Sequence, residues 1–255
     1  MRLPEQVYVK REPRALLADF FLTADRYAAE RGVLLSISTD FDELLAVNRA
    51  NLESWNPLIP SISPEYNDMT KHPAFWLRGE NRETGRVVLA RACRLYDLPA
   101  GRTMHDAFTD FSLFYDDTTR VGPFEQIYST GIAPRGITGR FVMSVGGWHH
   151  PSMRKLNLSA VAPRLVRAWA YNEWDPPLFT SMVEDHMVEK ARISYGMKNQ
   201  EAGINWPGCP FHDPFLATLF WMTPTQLLEG LEGFLVAEEQ KGAAAGSERK
   251  REIAA

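Results

Sequence analysis

The sequence predicts a mixed α/β (α+β) fold, and three observations carry that reading. Short apolar or alternating runs, such as Val33 to Ser38 and Leu216 to Met222, interleave with longer stretches whose apolar residues recur every three or four positions. Glycine, proline and asparagine fall at the boundaries, at Gly32, Asn56-Pro57, Gly85 and Pro224. The chain has 255 residues, 45% of them apolar, with 7 Trp and 14 Phe, which is enough for a substantial core in one large domain or two small ones.

Taken in order, Leu16, Leu17, Phe20, Phe21, Ala24 and Tyr27 predict an amphipathic helix from Pro13 to Arg31 that ends near Gly32. Residues 1–32 are expected to form a helical extension ahead of a single domain over 33–239. Val33 to Ser38 reads as a strand. Thr39-Asp40-Phe41-Asp42-Glu43 then supplies a helix start rich in early carboxylates, and that helix is expected to run from Glu43 to Trp55. Pro57 to Pro64 reads as a rigid loop. Ala74 to Arg78 and Arg86 to Tyr96 predict a hairpin turning at Glu83-Thr84-Gly85, with one face buried.

Residues 98–139 mix Phe108, Phe111, Phe114 and Tyr115 with Asp106, Asp110, Asp116 and Asp117. Such a long insert suggests a lid or binding loop whose carboxylates meet a cationic acceptor, although acidic runs more often form a solvated face. From Arg140 a strand to Trp148 is followed by a loop, a helix to about Asn172, a strand Leu178 to Val183, a helix to Tyr195 and strands at Ala202 to Trp206 and Leu216 to Met222. Thr223-Pro224 opens a last helix, with Thr as cap and Pro at the first helical position. The stretch 240–255, with little to bury, is expected to be a disordered tail.

The formal charge of −4 argues against nucleic acid as a partner, since phosphate recognition favours a strongly basic surface. Cys93 and Cys209 are the two cysteines, far apart and outside any CxxC pattern, so neither a disulfide framework nor a thiolate metal site is suggested. The N-terminal apolar stretch is broken by Asp19 and followed by Asp25 and Arg26, unlike a secretory signal. No apolar run approaches the about 18 residues of a membrane span. The expectation is a cytoplasmic protein with no membrane partner, either monomeric or a homodimer.

The chemistry concentrates after residue 145. Gly146-Gly147 inside a strand pattern marks a bulge or a close backbone approach. A turn and a helix N-terminus follow, where free N–H groups and the helix dipole suit an anion such as a pyrophosphate, with Arg154 and Lys155 adding charge. Asn157 tolerates left-handed dihedrals and Ser159 can cap the helix. If Ser159 is that cap, Pro163 falls just past the first turn and should bend the helix mildly.

The run Pro151-Ser152-Met153-Arg154-Lys155-Leu156-Asn157-Leu158-Ser159 resembles the pyrophosphate loop of the GNAT superfamily of acyl-CoA-dependent N-acyltransferases, whose signature is Arg/Gln-x-x-Gly-x-Gly/Ala. It keeps the Arg and replaces both small positions by Asn157 and Ser159. The following helix, strand and helix, and Tyr195-Gly196-Met197-Lys198, repeat the family's second half in order, so the resemblance covers roughly Val33 to Met222. It implies a mostly antiparallel twisted sheet with helices on both faces and a central splay between two strands. It also implies acetyl-CoA or another acyl-CoA as co-substrate, with no metal. By the same resemblance, Gly147, Trp148 and His149 would bond the pantetheine arm through the main chain, and Arg154, Lys155, Leu156, Asn157, Leu158 and Ser159 would hold the pyrophosphate.

An amine of a small molecule or peptide would attack the thioester directly. Where the family often has a Tyr to protonate the leaving thiolate, this chain has Arg192; Tyr195 is the candidate substitute acid, and His149 and Glu184 are candidate bases. Each has a plainer reading, as a packed aromatic, a loop histidine and a charge at a helix start. A GNAT-shaped CoA-binding or protein-interaction module without turnover is the alternative. A metal-dependent hydrolase using His149 or His150 with His186 and His212 is a third, disfavoured because adjacent histidines on a strand point to opposite faces.

Overall fold

The computed structural model describes residues 1–212 and 214–253. Helices α1 (Leu3–Gln6) and α2 (Arg14–Ala29) lead into β1 (Val33–Ser38), α3 (Phe41–Arg49), β2 (Ala74–Asn81), β3 (Val87–Asp97), α4 (Met104–Thr109), β4 (Tyr128–Ser129) and α5 (Ala133–Gly136). The second half holds β5 (Arg140–His149), α6 (Ala162–Trp174), β6 (Phe179–Glu184), α7 (Val188–Tyr195), β7 (Asn199–Trp206), β8 (Phe215–Met222) and α8 (Pro224–Ile253). One eight-stranded sheet results, in the order β1-β2-β3-β5-β6-β8-β7-β4. Its neighbours pair antiparallel except β5 and β6, which run parallel. The mixed, mostly antiparallel sheet covered on both faces is the fold class that the sequence predicts.

Each face of the sheet has its own core. On one, Phe20, Leu165 and Leu231 from α2, α6 and α8 pack on Leu89, Cys93 and Phe179 of the sheet; full burial of a side chain this size contributes about 1.5–3 kcal/mol. Helix α2 is therefore part of the domain's core rather than an appendage. The Gln6 side chain both donates to the Ile37 carbonyl and accepts from its N–H, at 2.8 Å each, closing the outer edge of β1 as a strand would.

The other face packs Trp76 and Met143 against α3 and the 98–139 segment, where Phe108, Phe114 and Trp206 are fully buried. This segment is core, not a lid. Asp106 closes a capping box with Thr103, Asp117 caps a turn at Thr119, Asp110 pairs with Arg102, and Asp116 meets His72 and Arg94. The acidic residues are spent on caps and ion pairs.

Helix α3 starts at Phe41, two residues before the expected Glu43, with Asp40 as its cap accepting from the Glu43 N–H at 2.9 Å, and it stops at Arg49 rather than Trp55. Asn51 turns its amide onto the Val47 carbonyl and Asn48 bonds the Asn56 carbonyl, side-chain competition that ends helices. The early stop lets the segment from Ser54 reach Trp148, whose Nε1 donates to Ser54 Oγ at 3.2 Å. Thr223 and Gln226 form reciprocal caps at the start of α8. The stretch 240–255, read as a disordered tail, continues α8 through Ile253, its Ala, Lys, Glu and Arg being good helix formers; Ala254 and Ala255 lie outside the described residues.

Candidate active site

The parallel ladder of β5 and β6 lasts only for Val142 with Phe179 and Met143 with Thr180. Beyond it β5 stays with β3 while β6 follows β8 to Glu184, so the two strands diverge into a V. Hydroxyls bridge the first gap: Thr180 Oγ1 donates to the Val142 carbonyl at 3.0 Å and Ser181 Oγ to the Ser144 carbonyl at 2.7 Å. Arg91 of β3 donates through Nε to Ser144 Oγ at 2.8 Å and through Nη2 to Ser181 Oγ at 3.3 Å. Its guanidinium spans the vertex.

The glycine pair forms the bulge that the sequence predicts. Ala90 pairs with Trp148 and Ala92 with Val145, so Gly146 and Gly147 together face the single residue Arg91. Gly146 has φ +64, and a Cβ there would stand 2.6 Å from Ile62 Cδ1; at Gly147 it would stand 2.6 Å from Arg91 Nη1. Past the bulge, Trp148 stacks on Trp55 with ring centroids 4.8 Å apart, and His150 meets Trp148 edge-on. His149 therefore points the other way, into the V, and its Nε2 is buried without a partner among the described residues. Burial, aided by the charges of Arg91, Lys190 and Arg154, lowers its pKa to about 4.

After a short turn at Pro151–Met153, the loop takes left-handed dihedrals at Lys155 (φ 79) and Asn157 (φ 55). A second turn covers Leu158–Ala160 and α6 begins at Ala162, so Ser159 is not its cap; Val161 holds that position with no side-chain cap. Pro163 then falls within the first turn of α6, where a missing N–H costs nothing and no kink is required. The loop is gripped from behind by the end of α2 and the turn after it. Arg31 Nε donates to the Leu156 carbonyl at 3.0 Å, Tyr27 Oη donates to the Asn157 carbonyl at 3.4 Å, and Arg31 lies 3.4 Å over the Tyr27 ring.

These parts line one cleft of about 1020 Å³. It brings together Gly147, Trp148 and His149 of the bulged strand, Arg154, Lys155, Asn157, Leu158 and Ser159 of the loop, and Glu184 and Tyr195 from the opposite wall. Leu156 is the exception: its side chain packs on the core. Glu184 sits 2.9 Å from His212 Nδ1 and 3.4 Å from His186 Nδ1. Among the described residues, no group of three or more His, Cys, Asp and Glu could hold a metal ion; Asp213 lies outside them.

Tyr195 ends α7, with the Arg91 guanidinium 4.4 Å from its ring centroid. Burial would raise its pKa, but the charge and hydrogen bond of Arg91, with the charges of Arg167 and Lys190, outweigh that and lower it. Arg192 is exposed and paired with Glu189 at 2.9 Å. Burial pushes the Cys93 thiol up to about 12, which suits packing and not nucleophilic attack.

Sequence reasoning missed Arg91, Lys190 and Trp55, which also line the cleft. Arg91 left a signal, as a charge at the centre of the apolar run Val87 to Tyr96. Trp55 left none, because its place depends on where α3 stops.

The strand order, the bulge and the divergence of β5 from β6 define a mixed, mostly antiparallel sheet with a cleft at its splay. No protein-family model matches the chain, and no curated protein matches it in sequence. Among solved structures it is similar to FeeM, an N-acyl amino acid synthase from uncultured soil microbes, with 13% identity over 76% of this chain and 92% of that one and a TM-score of 0.43. It is similar also to Arabidopsis thaliana NAA60 in complex with acetyl-CoA (10% identity, 76% and 99%, TM-score 0.43). A third is the aminoglycoside acetyltransferase AAC(6')-Ib in complex with coenzyme A and kanamycin (11% identity, 76% and 96%, TM-score 0.39).

Proposed function

We propose that the chain is an acyl-CoA-dependent N-acyltransferase, moving an acetyl or other acyl group to an amine of a small molecule or peptide by direct attack on the thioester. The observation that carries this reading is the free side of β5 past Met143, set beside the basic loop Arg154 to Ser159 in one cleft. An extended, amide-containing arm can pair with Gly147, Trp148 and His149 as a strand would, its pyrophosphate reaching the loop and the N-terminus of α6. The unpartnered Nε2 of His149 is a polar atom left for a ligand.

In the reaction, the acceptor nitrogen attacks the thioester carbon, the carbon–sulfur bond breaks, and the departing sulfur takes the proton of the Tyr195 hydroxyl. The acceptor's own proton passes to Glu184, directly or through water. His149, with its depressed pKa, is too weakly basic to take that proton at neutral pH and serves as a hydrogen-bonding group. The test is thermal stabilisation by CoA, acetyl-CoA and longer acyl-CoAs, since a ligand that binds the native state raises Tm. Stabilisation followed by thiol release with an amine panel supports the proposal; no shift with any of them overturns it. Stabilisation with no thiol release from any amine would favour the module without turnover.

A further inference from the structure

We propose that the vertex of the splay is a second anion subsite, in which Arg91 receives a carboxylate carried by the substrate. The inference rests on the acyl-CoA reading above and names the substrate class. Arg91 is 4% exposed and lines the cleft, yet its partners there, Ser144, Ser181 and Tyr195, are all neutral side chains. Arg167, 1% exposed on α6, has no carboxylate among the described residues either: it donates to the Tyr195 carbonyl, while its Nε and Nη1 are buried without partners there. Arg164 beside it bonds only the carbonyls of Ala160 and Ser194. A buried charge is costly unless it is paired and hydrogen-bonded. Arg91 therefore faces the cleft with no carboxylate among its described partners, and Arg167 and Arg164 behind it add positive charge and supply no counter-charge.

The pyrophosphate does not answer it. Arg154 and Lys155, exposed on the loop, are where a multiply charged group keeps part of its hydration. Arg91 is on the sheet itself, at the floor of the V. Its nitrogens bond Ser144 and Ser181 and it lies beside Tyr195, all neutral partners, so the charge it brings to the cleft suits a small, planar monoanion. Among the described residues, Glu184 is the carboxylate in the cleft lining, and it is already held by His186 and His212. The carboxylate for Arg91 is therefore placed on the substrate. It is either the far end of a dicarboxylic acyl group or the carboxylate of an amino-acid acceptor.

Paired ligands separate these sources. Malonyl-CoA and succinyl-CoA are compared with acetyl-CoA and butyryl-CoA, and in the presence of CoA a set of amino acids is compared with their amides, all by the ligand concentration that raises Tm. In one pair the carboxylate form is expected to bind at least tenfold more tightly. The gap should collapse in Arg91→Met and persist in part in Arg91→Lys, both checked for retained stabilisation by CoA. Should Arg91→Met fail to fold, Ser181→Ala, which removes one arm of the guanidinium's support, should narrow the same gap. Equal binding of carboxylate and neutral forms in both pairs, with CoA itself still bound, overturns this proposal and leaves the acyl-CoA reading intact. Absence of CoA binding overturns both.

Discussion

The two walls of the cleft are held by different means. On one side, β5 is laddered to β3 along its length, and the loop after it is tied by backbone carbonyls to Tyr27 of α2 and to Arg31 in the turn that follows α2. On the other, β6 ends at Glu184 and gives way to a turn and the eight-residue α7, whose single buried residue is Ala191. Thr218 Oγ1 donates to Asp185 at 2.9 Å, and Arg164 and Arg167 hold the last turn of α7 through the Ser194 and Tyr195 carbonyls. The laddered wall offers main-chain groups and fixed charge, which suit a constant ligand. The less buried wall carries Glu184, Lys190 and Tyr195, the groups that would face the reaction and a variable acceptor. A short helix with little buried surface is inexpensive to displace.

The sharpest way to break this division is Tyr195→Phe. It keeps the ring beside Arg91 and removes only the hydroxyl. Stabilisation by CoA should be unchanged, while kcat for thiol release falls by about 10²–10⁴, the usual worth of a positioned general acid. A matching loss of CoA binding would show that the two walls do not divide their labour in this way.

On the anchored wall, His149 makes a pH signature. Its folded pKa of about 4 lies below the ordinary 6.5, so between those values the unfolded chain binds a proton that the folded chain refuses. The neutral imidazole's contribution is complete above pH 6.5 and is lost as pH falls toward 4, on the order of 3 kcal/mol in all. His149→Gln should remove that loss. Chemical denaturation of both proteins at pH 7 and pH 4.5 measures it: the wild type should lose stability relative to the variant.

Gly146→Val tests the bulge that aims the same wall. A β-branched residue at φ +64 costs about 1–3 kcal/mol from the dihedral alone, and its Cβ would crowd Ile62 Cδ1. A lower Tm with weakened CoA binding is expected. Unchanged CoA affinity would mean that the bulge does not shape the arm's seat.

How legible these walls were in the sequence follows the same division. β1, the β2–β3 hairpin, β5 with its glycine pair, β6 and the cap of α8 were readable, because local periodicity and turn chemistry decide them. The left-handed Asn157 was readable too, since few other residues accept that dihedral. Ser159 misled because a local capping signal was outweighed by the turn Leu158–Ala160, which delays the helix to Ala162. The 98–139 segment misled because its aromatics find their partners far away in sequence, Phe111 and Phe114 on Trp206. Arg91 owes its role to β3 lying next to β5 and to the V opening beside it, and a strand's neighbours are not written in its own residues.

The smallest effect expected is also the most specific to this chain. Arg31→Ala frees the Leu156 carbonyl and removes the cover of the Tyr27 ring, contacts made by a side chain 29% exposed. A hydrogen bond from a charged donor is worth about 1.5–3 kcal/mol when buried, and solvent at this partly exposed site reduces that toward about 1 kcal/mol. Global stability should fall by about that amount. Affinity for CoA should weaken several-fold, because the loop with its left-handed turns at Lys155 and Asn157 loses the hold on its Leu156 carbonyl. Isothermal titration with CoA beside the Tm measurement separates the two. A stability loss with unchanged affinity would show that the loop keeps its shape on its own dihedrals, and that α2 supports the core without tuning the anion site.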